Sequence, residues 1–150
     1  MKLPPVLRRL FGRPARPASV PENAFTAEQF IYIKIPAAFG PVDRATLFED
    51  PIDLALAAEG SLGAVSGGGS LLSKQQLDGS RHIEFCGIDV DTTDRDRALG
   101  VLRKLLPTLN APLGTELHYT AGVEKLQDEL SPEGWLVSRP RLLLHPGFGI

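Results

Sequence analysis

Residues 29–36, QFIYIKIP, most constrain how this chain can fold. Ile31, Ile33 and Ile35 alternate with Phe30, Tyr32 and Lys34, so the segment reads as a β-strand whose two faces are both largely apolar. Such a strand belongs in the middle of a sheet, and Pro36 ends it. A second strong strand is expected over 81–91, RHIEFCGIDVD. There Ile83 and Phe85 share one parity and Ile88 and Val90 the other. A bulge near Cys86–Gly87 would bring all four onto one core face and turn Glu84, Asp89 and Asp91 the other way.

Between and after these strands the pattern turns helical. Residues 37–49 read as a long connection broken by Gly40–Pro41. Asp50 reads as an N-cap with Pro51 at the first helical position, opening a short helix over 51–59 that Gly60 stops. Asp94 caps a longer helix over 95–109. In it Ala98, Val101, Leu102, Leu105, Leu106 and Leu109 follow helical spacing, and Pro107 kinks it or ends it early. Residues 62–73 read as a glycine-weakened strand, 115–120 as a strand, 122–130 as a short helix and 135–144 as one or two terminal strands. The resulting order is strand, helix, strand, strand, helix, strand, then an extension. It predicts an α+β fold, a two-layer ferredoxin-like sandwich with an antiparallel sheet, two main helices on one face and a C-terminal extension. An exposed edge strand would allow sheet-to-sheet dimerisation.

Charge divides the chain in two. Residues 1–20 hold Lys2, Arg8, Arg9, Arg13 and Arg16 and no acid, a charge of +5, whereas the remainder holds 11 basic and 18 acidic residues, a charge of −7. We therefore expect a basic, Pro-rich arm over 1–23 and a single acidic domain over 24–150. An acidic body is a poor phosphate binder, so nucleic acid is not an expected partner of the domain; a basic protein is. No apolar run approaches the roughly 18–20 residues that span a bilayer, and the N-terminus lacks a secretory apolar core. One cysteine, Cys86, cannot form an intrachain disulfide, which fits a cytoplasmic location.

Chemistry-bearing patterns are sparse. Asp89-Val90-Asp91-Thr92-Thr93 follows an apolar strand segment and resembles the D-x-D-x-T signature of haloacid-dehalogenase-like phosphohydrolases. That resemblance, five residues long, implies Asp89 as nucleophile with Mg²⁺ held by both carboxylates. The family carries its motif on an early strand of a parallel sheet and needs a later lysine and acidic pair, yet only 57 residues follow Thr93. Glu84, Asp89, Asp91, Asp94 and Asp96 form the densest acidic cluster, read as a partner-binding surface. Gly67-Gly68-Gly69 lacks the lysine and spacing of a phosphate loop and reads as a place of close backbone approach, or as a pocket wall. His82, His118 and His145 have no finger-like spacing with Cys86, which reads as an inert buried thiol.

The run from Asp50-Pro51 through Gly67-Gly68-Gly69 to Ile83-Glu84-Phe85-Cys86-Gly87-Ile88-Asp89-Val90-Asp91 resembles a family of small, uncharacterised bacterial α+β proteins over about residues 50–118. The resemblance implies no particular activity and fits a binding role. The expected function is therefore a non-enzymatic bacterial binding protein, such as an immunity-type inhibitor that masks a basic toxin. Its expected binding residues are Glu84, Asp89, Asp91, Asp94, Gly67, Gly68 and Gly69, and no cofactor or metal is expected. The alternative is a small-molecule-sensing or regulatory domain, with the Mg²⁺-dependent phosphohydrolase third.

Overall fold

The computed structural model describes residues 26–143 and 145–148, and the arm expected over 1–23 lies outside them. Six strands form one antiparallel sheet: β1 (Phe30–Ile35), β2 (Gly63–Leu72), β3 (Ile83–Thr92), β4 (Glu116–Ala121), β5 (Glu124–Ser131) and β6 (Gly134–Pro140). Their order is β2-β3-β1-β4-β5-β6, with β1 interior as its sequence requires. The sheet is thus six strands wide, two more than the four of a minimal ferredoxin-like sandwich.

The helices are α1 (Pro41–Arg44), a π-helical turn (Ala45–Glu49), α2 (Asp50–Ala58) and α3 (Arg95–Thr108). Ile31, Ile33 and Ile35 of β1 and Cys86, Ile88 and Val90 of β3 form one core with Phe48, Ile52 and Leu56 before and within α2, and with Ala98, Leu99, Leu102 and Leu106 of α3. Burying each large aliphatic side chain is worth about 1.5–3 kcal/mol relative to leaving it in water. Asp94 caps α3, its carboxylate accepting the Arg97 amide at 3.2 Å. Pro107 lies in the last turn of that helix and does not shorten it before Thr108.

Four expectations are corrected. Residues 41–49 are helical rather than a connection, because Phe48 is driven into the core at 1% exposure. Asp50 consequently lies inside the helical run, at φ −66° and ψ −45°, and is not its cap. A proline inside a helix lacks an N–H and crowds the carbonyl four residues back; the wider π-turn immediately before Pro51 makes room for it. Residues 124–131 are strand β5 rather than helix, paired on both sides, with Leu126, Asp128 and Leu130 at alternating positions.

The bulge expected at Cys86–Gly87 is also absent: β1 and β3 pair without a break from Phe30 opposite Asp91 to Ile35 opposite Cys86. The irregularities lie in the β2–β3 pairing instead, between Val65 and Gly67 and between Leu71 and Leu72. Phe85 therefore faces away from the helices, where the Lys34 ammonium sits 4.7 Å from its ring centre.

Candidate binding face of the sheet

Side chains two apart on a strand leave the same face, and the strand register gathers the polar positions of four strands. Tyr32 pairs with Asp89 on β3 and with His118 on β4. Lys34 pairs with Gly87 and Glu116, and His118 with Gln127 on β5. Tyr32, Lys34, Asp89, Glu116, His118 and Gln127 thus occupy the face opposite the helices. Gly87 is required here, because a Cβ at this position would fall 2.0 Å from the Tyr32 hydroxyl oxygen. The phenol lies across β3 where the strand has no side chain.

Glu116 is the hub of the network. Its carboxylate lies 2.8 Å from His118 Nε2 and 3.9 Å from Lys34 Nζ, and it accepts from Gln127 Nε2 at 3.4 Å. The His118 hydrogen bond, helped by the Lys34 charge, holds the Glu116 carboxyl below its ordinary range against the opposing effect of burial. His118 itself is 1% exposed, and its second ring nitrogen, Nδ1, has no hydrogen-bond partner. Buried polar atoms are nearly always paired, so an orphan of this kind asks for an explanation.

The chain after β6 covers the neighbouring part of this face. His145 stacks on Tyr32 with ring centres 4.5 Å apart and on Phe30 at 5.2 Å, and its Nε2 lies 3.1 Å from Asp89 Oδ1. The Phe148 ring meets Phe30 edge-on at 5.0 Å and lies under the Arg141 guanidinium at 3.8 Å. Arg141 donates to Thr120 Oγ1 on β4 at 3.0 Å and to the Leu143 carbonyl at 3.0 Å. Phe30 and Tyr32, the apolar side of β1 that the helices do not reach, are buried by this contact.

Of the residues expected to bind, Asp89 and Gly67 come together. A Cβ on Gly67 would sit 2.8 Å from Asp89 Oδ2, so the glycine leaves room for a carboxylate that His145 also holds. The remainder do not converge. Glu84 is exposed where the β2–β3 pairing is irregular, Asp91 is half-buried opposite Phe30, and Asp94 caps α3. Gly68 backs onto Arg44 Nε, and Gly69 has open space beside it. The acidic run is therefore a sequence cluster rather than a patch, and among the described residues no group of three or more His, Cys, Asp or Glu could hold a metal ion. Thr92 and Thr93 of the D-x-D-x-T run donate to the Gln29 and Leu62 carbonyls at 2.6 and 3.2 Å. The run sits on a strand antiparallel to both neighbours, unlike the parallel sheet of the phosphohydrolases. Cys86 is fully buried, in contact with the Ala37 and Phe39 carbonyls at 3.1 Å.

Sequence reasoning missed Tyr32, Lys34, Glu116, Gln127 and the roles of His118 and His145. The available signal was parity: Tyr32 and Lys34, like Glu116 and His118, are polar or amphipathic pairs two apart on strands whose alternate residues are aliphatic.

Burial, with the Asp89 carboxylate second, pushes the Tyr32 phenol up to about 12. Tyr119 is also raised, chiefly by burial. These are the two tyrosines of the chain. An acid whose folded pKa lies above its unfolded value contributes stability that is intact below the unfolded value and is lost as pH rises through the folded one. Stability should therefore decline from about pH 10, where unfolded tyrosine ionises, towards about 12 for Tyr32. In a near-ultraviolet titration the folded protein should develop less tyrosinate absorbance at pH 10 than the unfolded chain; equal absorbance of the two at that pH with the fold intact would refute the burial argument.

No known protein family, curated protein or solved structure matches the chain.

Proposed function

We propose that this chain is a non-enzymatic binding domain that senses a small polar molecule at the sheet face around His118. The observation that supports this reading is the His118 ring, whose Nδ1 is buried and unpaired while its Nε2 meets Glu116, itself in contact with Lys34 and Gln127. With Nε2 against the Glu116 carboxylate, a neutral ring carries its proton there and leaves Nδ1 as an acceptor. It would suit a ligand with an N–H or O–H donor, and Lys34 would suit a carbonyl or anionic group on the same molecule. Among the described residues the hydrogen-bond partner of His118 is Glu116, with no hydroxyl or thiol nucleophile bonded to the ring, which favours binding over turnover. We read β2-β3-β1-β4 with its two helical crossovers as a ferredoxin-like sandwich extended by β5 and β6, and place the protein in the cytoplasm.

The experiment is a thermal-shift screen with free amino acids and nucleobases as probes. A molecule that binds only the folded state raises the melting temperature by mass action. The expected result is a stabilising probe whose effect disappears in His118→Phe, a variant that keeps an aromatic ring at the site but no acceptor. Stabilisation that survives His118→Phe, or none across the set, would overturn the assignment.

A second reading, the immunity-type inhibitor of a basic toxin, draws support from the −7 carried by residues 21–150. It predicts salt-sensitive association with a cationic protein, indifferent to His118→Phe.

A further inference from the structure

The two edges of the sheet are built differently. β6 ends in Arg139 and Pro140 and carries Ser138 at φ +57°, the kinds of charge, proline and irregularity that stop an edge from pairing. β2, at the other edge, is ten residues long, GAVSGGGSLL, with no charge and no proline; among the described residues its one strand neighbour is β3, with which its register shifts at two places. Leu71 and Leu72 on it are 46% and 51% exposed. Ser66, Gly68 and Gly69 are exposed as well. The free backbone groups of such a strand are a template for another strand.

The sequence of β2 also indicates which strand. Ser66-Gly67-Gly68-Gly69-Ser70 reads the same in both directions about Gly68. An isologous contact requires a surface complementary to itself, and an antiparallel pairing through Gly68 sets Ser66 opposite the partner's Ser70 and Gly67 opposite the partner's Gly69. Leu71 and Leu72 of each copy then lie past the regularly paired segment, towards the Ala64–Val65 end of the other. The irregularity between Val65 and Gly67 bounds the paired segment in both copies alike. Net charge opposes association and limits where it can occur. Two bodies of equal negative charge repel, and β2 is a neutral strip along which they can meet. We infer that the β2 edge is a self-association surface, joining two copies antiparallel about Gly68 into one continuous twelve-stranded sheet. The dimer is independent of the His118 site, which lies on β4 on the other side of β1.

The test is light scattering on the full chain over a concentration series. The expected result is concentration-dependent growth towards twice the 16.2 kDa of one chain. Gly69→Glu puts a charge where the monomer has open space, with no atom within 4 Å of the added Cβ, and Leu71→Glu charges a half-exposed side chain on the same edge. Each should weaken the dimer by on the order of tenfold or more: the like charges at position 69 flank the two-fold axis, and the charge at position 71 meets the apolar Ala64–Val65 end of the partner. Val123→Glu, at a 96% exposed turn position away from β2, should leave it unchanged. Fluorescence of the single tryptophan confirms that each variant is folded. A wild type that stays monomeric throughout, or a dimer that both β2 variants leave intact, would overturn the inference.

Discussion

Replacing Arg103 by methionine should cost about 3–5 kcal/mol of folding free energy, because it strands a charge in the interior. Asp128 on β5 is completely buried. Its Oδ2 accepts from Arg103 Nε at 2.8 Å and lies 2.7 Å from Arg103 Nη2, a two-pronged contact from α3. Its Oδ1 accepts from the Tyr119 hydroxyl at 2.8 Å and the Ser138 amide at 2.9 Å. Four donors on three further elements thus converge on one carboxylate, and they tie β6 and α3 to the middle of the sheet. Trp135 adds to the tie by donating its indole N–H to the Arg103 carbonyl at 2.8 Å. Without the guanidinium the carboxylate has neutral donors and no countercharge. Adding Asp128→Asn to the Arg103→Met background should recover much of the loss. The amide oxygen can take the place of Oδ1 and keep Tyr119 and Ser138, while the charge is gone. Urea unfolding followed by Trp135 fluorescence measures both variants. Equal stability of wild type and Arg103→Met would show that the pair contributes nothing net, the common outcome for exposed ion pairs.

Asp128 also shows where sequence reading fails. In Leu126-Gln127-Asp128-Glu129-Leu130 the inward positions are Leu, Asp and Leu, so a buried carboxylate interrupts the apolar alternation that marks a strand. The segment then passes for a helix. Its pairing partners, β4 and β6, settle the matter only in three dimensions. Residues 41–49 were obscured differently. Gly40-Pro41 looks like a turn, and Val42, Leu47 and Phe48 follow no helical spacing, with only Phe48 of the three buried. By contrast β1 and α3 were legible because their aliphatic residues repeat at 2.0 or 3.6 without interruption, and β3 was legible as a strand, although its change of parity after Phe85 suggested a bulge that its pairing with β1 lacks.

The site was less legible than the fold for a related reason. Parity along one strand places Glu116 with His118 and Tyr32 with Lys34, but the register between strands is a tertiary property. A shift of one residue between β1 and β4 would turn His118 towards the helices. The contact between His145 and Asp89 joins segments with a helix and three strands between them, and no local pattern announces it. The acidic run at 84–96 was conspicuous in sequence, but strand alternation, an irregular pairing and a helix cap scatter its members. Adjacent carboxylates in a sequence do not make a charged surface unless their side chains leave the backbone in the same direction.

Leu102→Ala should destabilise the protein by roughly 2–5 kcal/mol, the range for truncating a buried leucine. Leu102 lies in the middle of α3 with no exposed surface, in the core that includes Ile31, Ile33, Ile88 and Leu117 from three neighbouring strands. The helix is held at both ends. Asp94 caps its start. Arg95 near that start donates to the Thr120 carbonyl on β4, and Arg103 further along is fixed to Asp128. An element tethered this way cannot slide to fill the space that the lost side chain leaves, so the cost should lie in the upper half of the range. The chevron-free measure is the urea midpoint at unchanged slope, which separates a stability loss from a change in compactness. Leu102→Met, which nearly conserves volume, should cost less than about 1.5 kcal/mol at the same position. If alanine and methionine cost the same, the side chain is not packed as described. If alanine costs less than about 1 kcal/mol, below the range for a buried leucine, the face of α3 against the sheet is wrong.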